Sequence, residues 1–213
     1  MPGPAPVPAV VAAEAELARR EPVLAELVSR RGPCSLGAGR RRGSHFESLA
    51  AAVVHQQLAG RAAGAIWRRV REQVGLPFNP EGVLALGPEP LRAAGLSGAK
   101  AAALADLAAR VADGRLPLAG VSRRCDADIV AALSEVRGVG RWTAEMFLIF
   151  GLGRLDVWPT GDLGVRKGYA VAFGLRAPPP PEALEALGRP YRPWRSVVAW
   201  YCWRAVETVT PPL

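Results

Sequence analysis

Two glycines, Gly138 and Gly140, lie two positions apart in the stretch RGVGRWTAEMFLIFG, which spans residues 137–151. The pattern predicts a hairpin over residues 137–141, after which a new helix begins near Arg141. The first N–H groups of a helix have no partners within it and carry the positive end of the helix dipole. Glycines leave such groups open to a bulky anion, for example a DNA phosphate. An ordinary tight turn between two helices would use the same residues, so both interpretations stand at this point.

Further polar residues surround or follow this hairpin. Arg137 and Arg141 flank it, and Thr143 offers a hydroxyl in the first turn of the predicted helix. Asp162 opens a later predicted helix, where an aspartate commonly serves as the N-cap. A carboxylate can also stabilise a developing positive charge or orient and deprotonate a water molecule. The sequence therefore leaves Asp162 as a helix cap, a catalytic group or both.

The composition favours a DNA-binding protein without establishing one. The 213 residues carry a formal net charge of +8, with a pI near 10.4. Lys100 and Lys167 are the only lysines among the 27 basic residues. A pI above about 9 is typical of proteins that bind nucleic acids. An arginine-rich composition on a solvated surface explains the charge equally well.

The sequence shows no pattern of membrane insertion or secretion. Its apolar runs are shorter than the roughly 20 residues that span a bilayer. The first residues, MPGPAPVPAVV, lack a basic region followed by an apolar core. Cys34, Cys125 and Cys202 are scattered and odd in number, which favours buried thiols in a reducing compartment over a disulfide framework. We therefore expect a cytoplasmic protein, associated with the nucleoid if its basic charge serves DNA binding.

Hydrophobic residues recur at helical spacing along almost the whole chain. Pro22 is expected to kink or break the N-terminal helical pattern. Ser44 is predicted to cap the next helix, with Glu47 in the capping-box position. Ser97 is predicted to begin a further helix that Gly114 ends. After the hairpin, the run RWTAEMFLIFGLG predicts one helix, and alternating strand patterns are absent.

The hairpin and the segment WPTGDLGVRKGY, which follows some twenty residues later, resemble the AlkA-type 3-methyladenine DNA glycosylases of the helix-hairpin-helix-GPD superfamily. The pattern of that family, PGIGxWTA…D…P…D, is matched by the residues Gly138-Val139-Gly140, Trp142-Thr143-Ala144, Asp156, Pro159 and Asp162. The stretches FESLAAAVVHQQLAGRAA, LRAAGLSGAKAAALADLAARVADGRL and PWRSVVAWYCW are similar to their counterparts in the family. The resemblance covers roughly residues 40–207.

The resemblance implies an all-α, helix-hairpin-helix DNA glycosylase fold. It implies two helical subdomains with the active-site cleft between them, and no N-terminal β-domain. We expect one glycosylase domain over residues 1–213, with a helical segment, residues 1–40, packing on it. Within this domain, residues 137–141 form the hairpin and residues 153–162 form the Gly/Pro-Asp loop.

The resemblance also assigns roles to individual residues. Asp162 matches the catalytic aspartate of the family, so Asp156 is interpreted as a structural residue of the loop. Glu145 is expected on a solvated face or at the edge of the pocket. The remaining assignments fall into three groups: the base pocket (Trp142, Trp203, Met146, Leu163), the phosphate-binding hairpin (Gly138, Gly140, Arg141, Thr143) and the wedge that fills the gap left by a flipped base (Gln57, Leu58). Met146 and Leu163 stand where the family has tyrosines, which suggests a more open pocket.

By this resemblance the chain is a monofunctional glycosylase that flips alkylated purines of the 3-methyladenine or 7-methylguanine type from duplex DNA. Glycosylases that also cut the strand form a Schiff base through a lysine, at the position that Trp142 occupies here. Neither Lys100 nor Lys167 matches that position. We expect no metal centre, no iron–sulfur cluster and a monomer. His45 and His55 are expected at the surface or in the core, and a sodium or potassium ion at the hairpin carbonyls is possible by analogy.

Three alternatives remain open. A helix-hairpin-helix protein that binds DNA without chemistry would keep the glycines but would have no use for Asp162. A helical scaffold with a merely compositional basic surface would show no salt-dependent DNA binding. A glycosylase for oxidised or mismatched bases would share the site and differ in its substrate.

Overall fold

The structure is a computed structural model, and it describes residues 7–38, 44–56 and 60–206. Every regular element in these ranges is helical, as expected. The α-helices are α1 (Pro8–Arg20), α2 (Pro22–Arg31), α3 (His45–His55), α4 (Gly60–Val74), α5 (Pro80–Leu86), α6 (Pro88–Ala93), α7 (Gly98–Ala112), α8 (Asp126–Ser134), α9 (Arg141–Met146), α10 (Leu163–Ala172), α11 (Pro181–Gly188) and α12 (Arg195–Ala205). Short 3₁₀ turns cover Val121–Arg123 and Arg189–Tyr191, and a π-helical turn covers Phe147–Gly151.

The helices form two compact units. One unit contains α1, α2 and α10 to α12, so helices from the first and last parts of the described chain fold together. The other contains α3 to α9 and the π-helical turn. No helix in the described part of the chain has the length and apolar character of a membrane span.

Local signals set several helix boundaries as the sequence predicts. The N-terminal pattern is broken between α1 and α2, with Pro22 at the first position of the second helix. The Ser44 hydroxyl accepts a hydrogen bond from the Glu47 N–H at 3.1 Å, and the Ser97 hydroxyl accepts one from the Lys100 N–H at 3.3 Å. These N-caps satisfy N–H groups that have no partner within the helix.

The helix after the hairpin differs from the prediction of one continuous α-helix. It is α-helical only as far as Met146, and then widens to a π-helical turn that the Leu152 N–H closes on the Phe147 carbonyl. The Phe147 ring lies directly over the backbone of Gly151, where a side chain would collide with it. The helical hydrophobic pattern does not distinguish the two geometries, because both bury the same apolar run.

In the first unit, α12 is the central helix and both α2 and α10 pack against it. The Tyr201 hydroxyl of α12 donates a hydrogen bond to the Glu14 carboxylate of α1 at 2.6 Å. The same Glu14 oxygen accepts the backbone N–H of Cys34 at 2.6 Å. These partly buried hydrogen bonds join α1 to α12 and to the segment that follows α2.

Candidate active site

Asp162 is the N-cap of α10 and is only 9% exposed. Its Oδ1 atom accepts hydrogen bonds from the Val165 N–H at 2.8 Å and from the Trp203 indole N–H at 3.0 Å. Burial raises the pKa of the neighbouring Cys202 thiol, and the negative charge of Asp162 raises it further. The cap predicted from the sequence is confirmed. The same two hydrogen bonds hold the buried Asp162 carboxylate in a fixed orientation.

The loop that carries Asp162 is attached to the start of α12. Arg195 is 7% exposed. Its guanidinium donates to the Asp156 carboxylate through Nε at 2.6 Å and through Nη2 at 3.0 Å. The Ser196 hydroxyl donates to the Arg154 carbonyl and accepts from the Val157 N–H. Asp156 therefore has the kind of contacts that a structural residue of the loop would make.

The hairpin is held by the side chain of Gln56, the residue that follows α3. Its amide nitrogen donates to the Gly138 carbonyl at 3.0 Å and to the Thr143 hydroxyl at 2.8 Å. Thr143 is 3% exposed, so its hydroxyl bonds inside the protein. The sequence analysis missed Gln56, although the residue adjoins the predicted wedge.

Helix α7 supports the hairpin and the end of α3 from one face. The Asp106 carboxylate accepts the backbone N–H of Arg137 at 2.8 Å, and this bond, with help from the Arg110 guanidinium, lowers the pKa of Asp106. The Lys100 ammonium donates to the Val54 carbonyl at 2.8 Å. Arg137 stands where the family pattern has proline, so this chain has an N–H that proline would lack. No local sequence signal pointed to Asp106.

The two hairpin glycines serve different purposes. Gly138 has φ +71°, a conformation that disfavours other residues, and an added Cβ would lie 3.3 Å from the Cβ of Ala103. Gly140 has φ −98° and ψ 178°, and nothing lies within 4 Å of the place where its Cβ would be. Its backbone is exposed, so the absence of a side chain there leaves the start of α9 uncovered.

The predicted pocket residues differ in their exposure. Trp142 is half-buried, whereas Met146 and Trp203 are buried at 3% and 5% exposure. Leu163 is 52% exposed at the first position of α10, beside Asp162. Asp162 and Trp203 are in direct contact, and the pocket assignment of all four residues stays a prediction.

Glu145 is not on a solvated face, because it is 5% exposed. Its carboxylate accepts from the Nε of Arg141 at 2.8 Å, while the Arg141 side chain stays 77% exposed. The sequence gave no sign that this glutamate is buried, although its ion-pair partner Arg141 lies one turn earlier in the same helix. Arg141 thus combines an internal ion pair with an exposed guanidinium beside the hairpin.

The predicted wedge residues, Gln57 and Leu58, lie outside the described residues. His55 is buried at 4% exposure and binds the Ala51 carbonyl through Nδ1. Cys34 and Cys202 are buried, whereas Cys125 is exposed, contrary to the expectation of buried thiols.

No group of three His, Cys, Asp or Glu side chains that could hold a metal ion occurs in the described part of the chain. A monovalent cation at the hairpin carbonyls stays a prediction. The Gly138 carbonyl accepts from Gln56, and the Val136 carbonyl accepts from the Val139 N–H. A carbonyl oxygen has two lone pairs, so each of these two oxygens can accept a second contact.

Comparison with known proteins places this geometry in a family. The family model described as HhH-GPD superfamily base excision DNA repair protein matches residues 50–193. The chain is 34% identical over 162 residues to DNA-3-methyladenine glycosylase 1 of Schizosaccharomyces pombe, covering 75% of this chain and 71% of that protein. It is 29% identical over 197 residues to an alkylbase DNA glycosidase-like protein of the same organism, covering 90% and 92% of the two chains.

A solved structure with a similar fold supports the same family. The 3-methyladenine DNA glycosylase of Schizosaccharomyces pombe, in complex with abasic DNA, superposes with a TM-score of 0.81 at 30% identity. The match covers 93% of this chain and 98% of that one. The chain therefore belongs to the HhH-GPD superfamily of base excision DNA repair proteins.

Proposed function

We propose that the protein is a monofunctional DNA glycosylase that flips alkylated purines out of duplex DNA and hydrolyses their N-glycosidic bond. The buried Asp162 carboxylate, fixed by two N–H donors at the start of α10, is the observation that carries this proposal. The names of the relatives support it, since one is a DNA-3-methyladenine glycosylase and the other an alkylbase DNA glycosidase-like protein.

The chemistry follows from the charges. The bond between the sugar C1′ and the base nitrogen breaks, and the base keeps the bonding electrons. Positive charge develops on the sugar, where the Asp162 carboxylate stabilises it. Water adds to C1′ and loses a proton, which leaves an abasic site and a free base.

Alkylated purines suit this site because they are good leaving groups that need little further catalysis. Alkylation at N3 or N7 gives the base a positive charge, so the base departs as a neutral molecule and no general acid is essential. Trp142 is half-buried and follows the hairpin, and its ring would attract a cationic base by about 0.5–2 kcal/mol. We therefore propose cationic alkylpurines as the substrates.

The hairpin offers groups that would bind the DNA backbone. Phosphates would be held by the exposed backbone at Gly140 and by Arg141, whose side chain is 77% exposed. Since hydrolysis needs only water, we propose that the reaction uses no organic cofactor, no resident catalytic metal and no iron–sulfur cluster. We also propose that the protein acts as a monomer on duplex DNA at the nucleoid.

The test compares two aspartate variants that differ only in position. Asp162→Asn should lower the rate of base release from methylated duplex DNA by about 100-fold or more, because it removes charge stabilisation from the transition state. DNA affinity should change little. Asp156→Asn is the matched control. It should weaken the attachment of the loop to Arg195 and lower the free energy of unfolding, but the rate of base release by the folded enzyme should stay near that of the wild type.

The released bases identify the substrate. Free 3-methyladenine and 7-methylguanine should appear, whereas 8-oxoguanine should stay in the DNA. Release of oxidised or mismatched bases alone would refute the alkylpurine specificity. Near-normal turnover by Asp162→Asn would refute its catalytic role, and DNA binding with no base release by the wild type would indicate a binding protein.

A further inference from the structure

The Asp162 carboxylate is held by one local donor and one distant donor. The Val165 N–H belongs to the same helix turn, three residues later. The Trp203 indole N–H comes from α12, 41 residues along the chain. Both donors bind the same oxygen, Oδ1, so together they restrict the rotation of the carboxylate.

Two glycines one turn apart allow α12 to bring the indole to this position. A Cβ at Gly164 would lie 2.9 Å from Cδ1 of Trp203 and 3.0 Å from Oδ1 of Asp162. A Cβ at Gly168 would collide with the backbone carbonyl of Cys202. The close contact between α10 and α12 therefore depends on the absence of side chains at both glycines, and that contact sets the indole against the carboxylate.

We propose that Trp203 is a positioning residue, whose indole N–H holds the Asp162 carboxylate in the orientation that the reaction needs. The proposal rests on the proposed function, in which Asp162 stabilises charge on the sugar. A displacement of about 1 Å in a reacting group can lower a rate about 100-fold. Without the Trp203 donor, the carboxylate would rotate more freely about its Cβ–Cγ bond.

The low exposure of Trp203 distinguishes a positioning role from that of a stacking wall, an aromatic ring on which the flipped base would stack. The residue is only 5% exposed, so little of its ring is open to a base. A stacking wall would act on the affinity for damaged DNA, whereas a positioning residue acts on the rate once DNA is bound. The two roles therefore predict different kinetic consequences of the same substitution.

Two changes at position 203 remove the N–H group to different degrees. Trp203→Phe removes it together with part of the ring. Incorporation of 3-benzothienylalanine, in which sulfur replaces the indole N–H, keeps the shape and removes the donor alone. The second change keeps the test valid if the phenylalanine variant does not fold. Trp200→Phe is the matched control, because Trp200 lies on the same helix, is also 5% exposed and packs against Tyr201.

The measurements are the single-turnover rate of base release from methylated duplex DNA and the Kd for a duplex with an abasic-site mimic. Both changes at Trp203 should lower the rate about 10-fold, as expected for a lost hydrogen bond to a charged group. Their Kd values should stay within about 2-fold of the wild type. Trp200→Phe should leave both quantities within the same range.

Two results would overturn the positioning role. One is an unchanged rate in the benzothienylalanine protein, and the other is a loss of affinity as large as the loss of rate. The Asp162→Asn variant keeps this test separate from that of the function. Loss of turnover in Asp162→Asn together with normal Trp203 variants would refute only the positioning role, whereas normal turnover in Asp162→Asn would refute the proposed function.

Discussion

The side-chain amide of Gln56 donates a hydrogen bond to the Thr143 hydroxyl at 2.8 Å, across 87 positions of sequence. The same nitrogen donates to the Gly138 carbonyl at 3.0 Å. The end of α3 is thereby joined to both sides of the hairpin. Because the predicted wedge residues directly follow Gln56, the segment that would fill the base gap begins at the hairpin that would hold the phosphate.

Gln56→Ala should weaken binding to damaged and undamaged duplex DNA alike. Its two hydrogen bonds contribute about 1–2 kcal/mol to the hairpin, and phosphate contacts position a protein without reading bases. Urea denaturation would measure the loss of stability, and fluorescence anisotropy with both duplexes would measure the loss of affinity.

Gln57→Ala, at the predicted wedge position, is the natural comparison for that experiment. It should reduce base release more than it reduces binding to undamaged DNA. If Gln56→Ala binds DNA as the wild type does, the Gln56 contacts do not organise a phosphate site.

The hairpin glycines should respond differently to alanine. Gly138→Ala should lower the free energy of unfolding by about 1–2 kcal/mol, because φ is +71° there. Gly140→Ala should fold normally, since its backbone angles suit alanine and the space beside it is open. If a phosphate approaches the exposed amides, the alanine methyl should nevertheless weaken DNA binding.

Denaturation curves and DNA binding over a series of salt concentrations would separate these effects. A Gly140→Ala protein that binds all duplexes with normal affinity would show that the hairpin is only a turn between α8 and α9.

Borohydride should trap no covalent adduct between the enzyme and DNA. Lys100 is held by backbone carbonyls at the end of α3, and Lys167 lies on the exposed face of α10. Burial lowers the pKa of Lys100 from its usual value. Both lysines would be examined if an adduct did form.

Electrophoresis after borohydride treatment would test this prediction, with a bifunctional glycosylase as the positive control. An adduct that disappears in Lys100→Met or Lys167→Ala would contradict a mechanism that uses water alone.

The sequence by itself determined the parts of this protein that depend on neighbouring residues. The turn at Gly138 and the helix caps at Ser44, Ser97 and Asp162 were all predictable. Each follows from the backbone freedom of glycine or from a side chain that bonds an N–H group two or three residues away. The family pattern added the proposed catalytic role of Asp162, which a cap signal does not contain.

The tertiary structure alone decided which distant groups meet these local features. Trp203 reaches Asp162 only because Gly164 and Gly168 allow two helices to approach closely. Gln56 reaches Thr143 through the packing of the end of α3 beside the hairpin. The first of these contacts spans 41 positions of sequence and the second spans 87. No periodic pattern within a single segment carries that information.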